Sequence, residues 1–250
     1  MSNIQVGRMV DKQVAEWRTR MRQVEEESFQ GIRRGPLPMV TVSREIGSYA
    51  QGTIRQLVTL LGDRWRVWGK ALIDEVAECA DVHRSLVEML DEQEQSEMEE
   101  ITRTLLGMRS LEVSHYRKHL LQALYGISRG GYGVVIGRGA NFVLRDALRV
   151  RLRACLDTRI ERLCREMNLT RREAETLIDR TDRQRSNFIK QVFNRSIDEQ
   201  CAYEIILWTD RLAPDAAADL IYQAVKHMWP DTWDGRSKPH AAGPRLSTGP

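Results

Sequence analysis

Residues 39–53 read Met39-Val40-Thr41-Val42-Ser43-Arg44-Glu45-Ile46-Gly47-Ser48-Tyr49-Ala50-Gln51-Gly52-Thr53, and the fold class turns on how this stretch is parsed. Met39 to Val42 is a compact β-rich run, and Gly47 marks a turn. From near Thr53 a helix is expected, with Ile54, Leu57, Val58 and Leu61 on one face. The parse is strand, loop, helix. Amides in the first turn of such a helix have no intrahelical acceptor, so the loop before it is suited to an anion. Gly47 and Gly52 keep the glycine spacing of a phosphate-binding loop, but Thr53 stands where the phosphate-reaching lysine belongs. Taken alone, a plain strand-to-helix turn is the simpler reading of the segment.

Working outward, Val134-Val135-Ile136 reads as a short buried strand that ends at Gly137-Arg138-Gly139. A third strand is expected over 148–154, where apolar residues alternate with Arg149, Arg151 and Arg153. That alternation predicts an edge strand or a face open to water. A fourth strand runs over 203–208. Between the strands lie helical patterns at 71–80, 85–90, 97–128 and 157–167. Thr170 and Glu173 form a capping box opening a helix that reaches about Phe193, and a closing helix spans 215–227 after Pro214. Strands separated by helices predict an α/β protein, a three-layer parallel sheet covered by helices. Ligands on such sheets bind at the carboxyl ends of the strands. Residues 43–52, 137–141 and 209–210 should therefore meet at one rim.

The flanks differ in kind. Over 5–34, Val10, Val14, Trp17, Met21 and Val24 recur at helical spacing. Docking of that helix on its own domain is the simpler reading, and pairing with a second copy of the chain is the other. Gly35-Pro36-Leu37-Pro38 breaks the pattern, and beyond Trp229 the chain is rich in Pro, Gly and Ser. The expected organisation is an N-terminal helical extension (1–35), one domain (36–229) with a lid at about 168–196, and a disordered tail (230–250).

A net charge of +3 over 250 residues points to neither nucleic acid nor membrane. The charge is unevenly spread. From Arg149 to Arg195 there are twelve arginines and one lysine against seven acids, so this region is poised to meet anions. The stretch from Glu88 to Glu100 holds seven acids and no base, as a solvated helical face would. Cys79, Cys155, Cys164 and Cys201 are scattered without metal-ligand spacing, which fits a reducing compartment, and a cytoplasmic location is expected. His115 and His119 have i, i+4 spacing, but no third ligand follows at motif distance, so they read as exposed helix residues.

Two further groups could carry chemistry. Arg138, between two glycines just past a buried strand, is placed to grip a phosphate with its guanidinium. The run Arg180-Thr181-Asp182-Arg183-Gln184-Arg185 sets Arg180 near Arg183, and Asp182 near Arg185, along a helix. Arginines over a phosphate rim neutralise charge in phosphoryl transfer, although a solvated helix face laced with ion pairs has the same pattern.

Together these stretches resemble the cytidylate-kinase-like family, relatives of bacterial cytidylate kinase among the P-loop nucleotide kinases. The residues that carry the likeness are 40–45 with Gly47-Ser48, then 134–142, 147–151, 182–185 and 203–209. The resemblance implies a P-loop nucleotide-kinase fold with a helical lid, ATP and Mg²⁺ as cofactors, and transfer of the γ-phosphoryl group to CMP or a similar monophosphate. It implies that Gly47, Ser48, Gly52 and Thr53 line the phosphate loop, and that Arg44 and Arg138 face the acceptor phosphate. Arg180, Arg183 and Arg185 would be lid arginines oriented by Asp182, and no metal ligand is assigned. The chain departs from the family where Tyr49-Ala50 replaces a Gly-Gly pair. It departs again at Gly69, Glu204 and Trp208, where Asp, Asp and Asn are usual, each a polar group expected near the rim. The alternative implied by these losses is a nucleotide-binding pseudokinase with a regulatory or interaction role.

Overall fold

The computed structural model describes residues 36–78 and 111–230, with isolated helical positions at 12, 15–16, 19, 96 and 100. Most of the N-terminal extension, the acidic stretch, the expected helix at 85–90 and the tail beyond Pro230 lie outside the described residues. One link to the extension is present, a 3.2 Å ion pair from Arg66 Nε to Glu16 Oε2.

The strands are β1 (Met39–Arg44), β2 (Arg66–Trp68), β3 (Gly133–Ile136), β4 (Leu148–Arg153) and β5 (Ile205–Trp208). They pair in parallel in the order β2-β3-β1-β4-β5. Seven helices connect them among the described residues: α1 (Ala50–Leu61), α2 (Lys70–Glu78), α3 (Leu111–Gly130), α4 (Ala140–Val143), α5 (Leu156–Met167), α6 (Arg171–Phe193) and α7 (Pro214–Met228). β2 was not legible in sequence, being three residues long with an exposed Arg66 at its start. Helix α1 begins at Ala50, three residues before the expected start near Thr53.

The period-two pattern of the strands builds two cores, one on each side of the sheet. Val40, Val42, Leu148, Val150 and Leu152 pack against Leu57 and Leu61 of α1 and Ile221 and Val225 of α7. On the other side Met39 and Val135 meet α2, α3, α4 and the end of α6, where Ile189, Val192 and Phe193 are buried. Fully burying one such aliphatic side chain contributes about 1.5–3 kcal/mol. A smaller third cluster, Ile160, Leu163, Ala174 and Ile178, joins α5 to the first half of α6.

Helix α6 has the capping box expected at Thr170 and Glu173 and ends at Asn194 in the left-handed region. It fills the range expected for a lid, and its last turn belongs to the main core.

The expected edge position of the third strand is corrected. β4 lies inside the sheet, paired to β1 and β5. Its arginines alternate because the face opposite α1 and α7 is polar there. Arg151 is only 3 % exposed and reaches Ser43 Oγ (3.2 Å), Tyr203 Oη (3.4 Å) and Asp198 Oδ1 (2.9 Å).

Candidate functional site

The strand order fixes where a site can form. From β1 the chain crosses to β2 on one side, whereas from β3 it crosses to β4 on the other, so a crevice opens between the carboxyl ends of β1 and β3. Arg44 ends β1 and Arg138 follows β3, and these residues line one cavity of about 340 Å³ with Ser43, Asn141, Lys70 and Arg185. Its neighbour is a larger open cleft along Ile46–Gly52 and α1, lined also by Gly69, Lys70, Leu163 and Pro214.

Three guanidinium groups converge at the crevice. Arg185 Nη1 donates to the Arg44 carbonyl at 2.9 Å. Arg138 pairs with Asp74 of α2 and lies over the Phe188 ring, 4.7 Å from its centroid. Asp74 also takes Lys70 (3.4 Å) and the Tyr116 hydroxyl (3.2 Å). The Arg138 guanidinium is thus not free, as its flanking glycines suggested, but held by a carboxylate from a helix whose pattern carried no such sign. Arg44 differs. Its guanidinium lies against Gly137 and has no carboxylate partner among the described residues. Burial, then the charges of Arg185 and Arg138, pull its pKa down to about 10. Burial likewise lowers that of Arg185, partly offset by Asp182.

The loop after β1 is held from behind. Arg159 Nε donates to the Ile46 carbonyl (2.7 Å) and Arg162 Nη1 to the Gly47 carbonyl (3.1 Å), and Thr209 Oγ1 shares its one proton between the carbonyls of Ser48 (3.2 Å) and Arg153 (3.1 Å). The Ser48 hydroxyl closes on the Glu45 carbonyl at 2.8 Å. None of the amides from Ile46 to Gly52 donates to an acceptor among the described residues. Tyr49 adopts the left-handed region (φ 56) at the start of α1, and its ring lies beneath the Arg162 guanidinium at 3.7 Å. Gly52 packs on Pro214, and Thr53 is fully buried with its hydroxyl unpartnered.

The chain matches the model of the cytidylate kinase-like family over residues 39–211. The chain belongs to the cytidylate kinase-like family. Among curated proteins none matches it. A solved structure similar to it is that of an uncharacterized protein from Eubacterium ventriosum ATCC 27560. The two share 16 % identity with a TM-score of 0.60, over 77 % of this chain and 99 % of that one, a likeness of fold alone.

Within this kinase-like domain the sequence-expected residues divide. Arg44, Gly47, Ser48, Gly52, Thr53, Arg138 and Arg185 gather at the crevice and its loop. Arg180 and Arg183 do not. Both are exposed on α6, Arg183 pairs with Asp179 at 2.8 Å, and Arg180 lines an outer groove with Thr170 and Thr176. Asp182 pairs with Arg159 of α5, and its charge partly offsets the burial of Arg185. Glu204 is also off the rim. It lies ahead of β5 and takes the backbone amide and Nε of Arg149, at 2.7 and 2.8 Å, from the other end of β4. Gly69 faces the cleft with open space around a would-be side chain. Asp74, Arg159 and Arg162 were missed in sequence. Their signal, charged residues at helical spacing, is shared by every solvated helix.

Proposed function

We propose that this chain is a nucleoside-monophosphate kinase that transfers the γ-phosphoryl group of ATP to CMP or a related monophosphate. The observation that carries the reading is Arg44: a half-buried guanidinium without a carboxylate partner among the described residues, beside Arg138 and Arg185, in the crevice that the strand order creates. Crowding cations into low dielectric is unfavourable unless an anion joins them. A phosphate with two negative charges is such an anion, and Arg44, Arg138 and Arg185 would hold it.

The residues also fit a nucleoside triphosphate. Seven successive amides without acceptors among the described residues run from Ile46 to Gly52, and the Thr53 hydroxyl, buried and unpartnered just behind them, would need the first turn of α1 to shift before it could reach a phosphate oxygen or Mg²⁺. Among the described residues no three His, Cys, Asp or Glu side chains cluster as a metal site, so the Mg²⁺ proposed here arrives with the nucleotide. Bound there, it would neutralise charge on the transferred group. Held by the three arginines, an acceptor phosphate oxygen forms its bond to the γ-phosphorus as the bond to the β,γ-bridging oxygen breaks. ADP leaves with that electron pair. No covalent enzyme intermediate is needed, since positioning and electrostatics carry such transfers. Such a kinase draws on ATP, and the exposed unpaired thiols of Cys155 and Cys201 suit the cytoplasm, where we place it. Among the described residues no helix is long and apolar enough to cross a membrane.

The missing loop lysine favours a second reading, nucleotide binding without turnover. One set of assays separates them. Purified protein with ATP, Mg²⁺ and each monophosphate should form ADP, and Arg44→Met should lower kcat/KM about a hundredfold or more, the loss of a charged contact made to the acceptor. Absence of ADP above a Thr53→Ala/Arg138→Ala double variant would end the kinase reading. If ATP still raised stability, by about 2.7 kcal/mol at a hundred times its dissociation constant, the pseudokinase reading would replace it.

A further inference from the structure

Four consecutive carbonyls of the loop, those of Glu45, Ile46, Gly47 and Ser48, each accept a hydrogen bond, and three of the donors come from outside the loop. The peptide bonds are trans, so each carbonyl points opposite to the N–H of the residue after it. With the Ile46 and Gly47 carbonyls turned to α5, and that of Ser48 to Thr209, the amides of Gly47, Ser48 and Tyr49 face the other way. They are left without acceptors among the described residues, and their residues, Ser48 apart, line the open cleft.

The donors are themselves fixed. Arg162 is 5 % exposed, bonds Thr209 through both its hydroxyl (3.1 Å) and its carbonyl, and is covered on one face by the Tyr49 ring. Arg159 is tied to Asp182 and lies 3.7 Å from Glu45. The helix approaches so closely that a Cβ on Gly47, whose φ is +76°, would lie 3.0 Å from Arg159 Cβ and from its carbonyl oxygen.

We propose that Arg159 and Arg162, with Thr209, are the positioning residues of the phosphate loop. They hold its carbonyls from behind so that its amides are preset toward a phosphate chain, in a loop that lacks the phosphate-reaching lysine. The proposal rests on the anion-binding reading of the loop. Two physical effects support it. A loop fixed before binding loses less conformational freedom on binding. A cation at a carbonyl also polarises its peptide unit, so the N–H at the far end becomes a stronger donor. The clamp further accounts for Tyr49: stacked under Arg162, the ring is kept to the wall of the cleft, where a freely rotating tyrosine would compete with the phosphates.

The test uses the full chain and inorganic tripolyphosphate, which carries the phosphate chain without base or sugar. In ¹H–¹⁵N spectra the amides of Gly47, Ser48 and Tyr49 should shift on titration with it. By calorimetry Arg162→Met should bind it about tenfold more weakly, which is about 1.4 kcal/mol. Arg162→Lys should recover part of that loss, and CMP affinity at the arginine crevice should change less than about twofold. If Arg162→Met fails to fold, Thr209→Val is the second variant; it removes the hydroxyl at the Ser48 carbonyl and one anchor of Arg162, and should weaken the Tyr49 and Ser48 shifts more than that of Gly47, whose preceding carbonyl Arg159 holds. Tripolyphosphate bound with those amides unmoved, or bound equally by wild type and Arg162→Met, overturns the clamp and leaves the kinase reading standing. No binding of tripolyphosphate at all overturns both.

Discussion

Arg44 carries a charge that the fold alone does not balance. With its pKa lowered to about 10, mostly by burial, the charged form is destabilised in the folded chain by roughly 3 kcal/mol. Below pH about 10 the group is protonated in both folded and unfolded states, so this cost is present in full at neutral pH and is relieved only as pH rises above that value. An anion relieves it at once. Arg138 shows how the same crevice manages without one, by borrowing Asp74. Replacing Asp74→Asn therefore has two expected consequences. Loss of a half-buried pair partner leaves Arg138 uncompensated and should lower stability by about 2 kcal/mol. Inorganic phosphate should then stabilise the variant more than the wild type, since it now meets two unpaired guanidinium groups. Denaturation with and without phosphate measures both, and equal stabilisation of the two proteins would show that the anion does not enter beside Arg138.

At the scale of elements, the last turn of α6 is seated against the start of α4. Gly139, φ +69°, opens α4 against the Phe193 ring, and a methyl group there would overlap that ring. Phe193 in turn anchors the end of α6, eight residues beyond Arg185. Gly139→Ala is expected to cost about 2–4 kcal/mol and to weaken phosphate binding through Arg185, read by urea denaturation and by titration. An unchanged affinity in a destabilised variant would mean that Arg185 is set from the α5 side instead. The same elements show what was legible in the sequence. Val40 and Val42, the turn at Gly47, the Thr170–Glu173 box and Pro214 each announce an element through a local rule, and those elements form, with α1 starting at Ala50 rather than near Thr53. β2 is too short to show a period. β4 misled because alternation reports only that two faces differ, and the polar face here is buried by Tyr203 and Asp198 rather than by water. The long-range pairs Arg138–Asp74, Arg159–Ile46 and Arg162–Gly47 join residues 64 to 115 positions apart, so no window along the chain contains both partners.

Over the whole molecule, stability is unevenly distributed, and the cleft lies along the boundary. The sheet and its two flanking cores hold the large fully buried side chains, Leu57, Leu61, Leu120, Leu124, Leu148 and Ile221 among them. Helix α5 and the first half of α6 share only the small cluster of Ile160, Leu163, Ala174 and Ile178. Their ties to the loop after β1 are mainly polar, Arg159 and Arg162 on its carbonyls with Ile46 packed on the small cluster, while the Asp182 pair joins α6 to α5 itself. Polar ties at a wetted boundary open more readily than apolar cores, so residues 156–182 should exchange amide hydrogens by local opening while the strands exchange only by global unfolding. A nucleotide held by the loop amides makes the loop, and with it these arginines, harder to release. Hydrogen exchange with a non-hydrolysable ATP analogue should therefore slow across 156–182, with the C-terminal half of α6 and β1 unchanged. Uniform slowing across the chain would instead place the opening in global unfolding. No slowing in 156–182 with the analogue bound would mean that α5 is carried by its own small core, and that the loop is set without it.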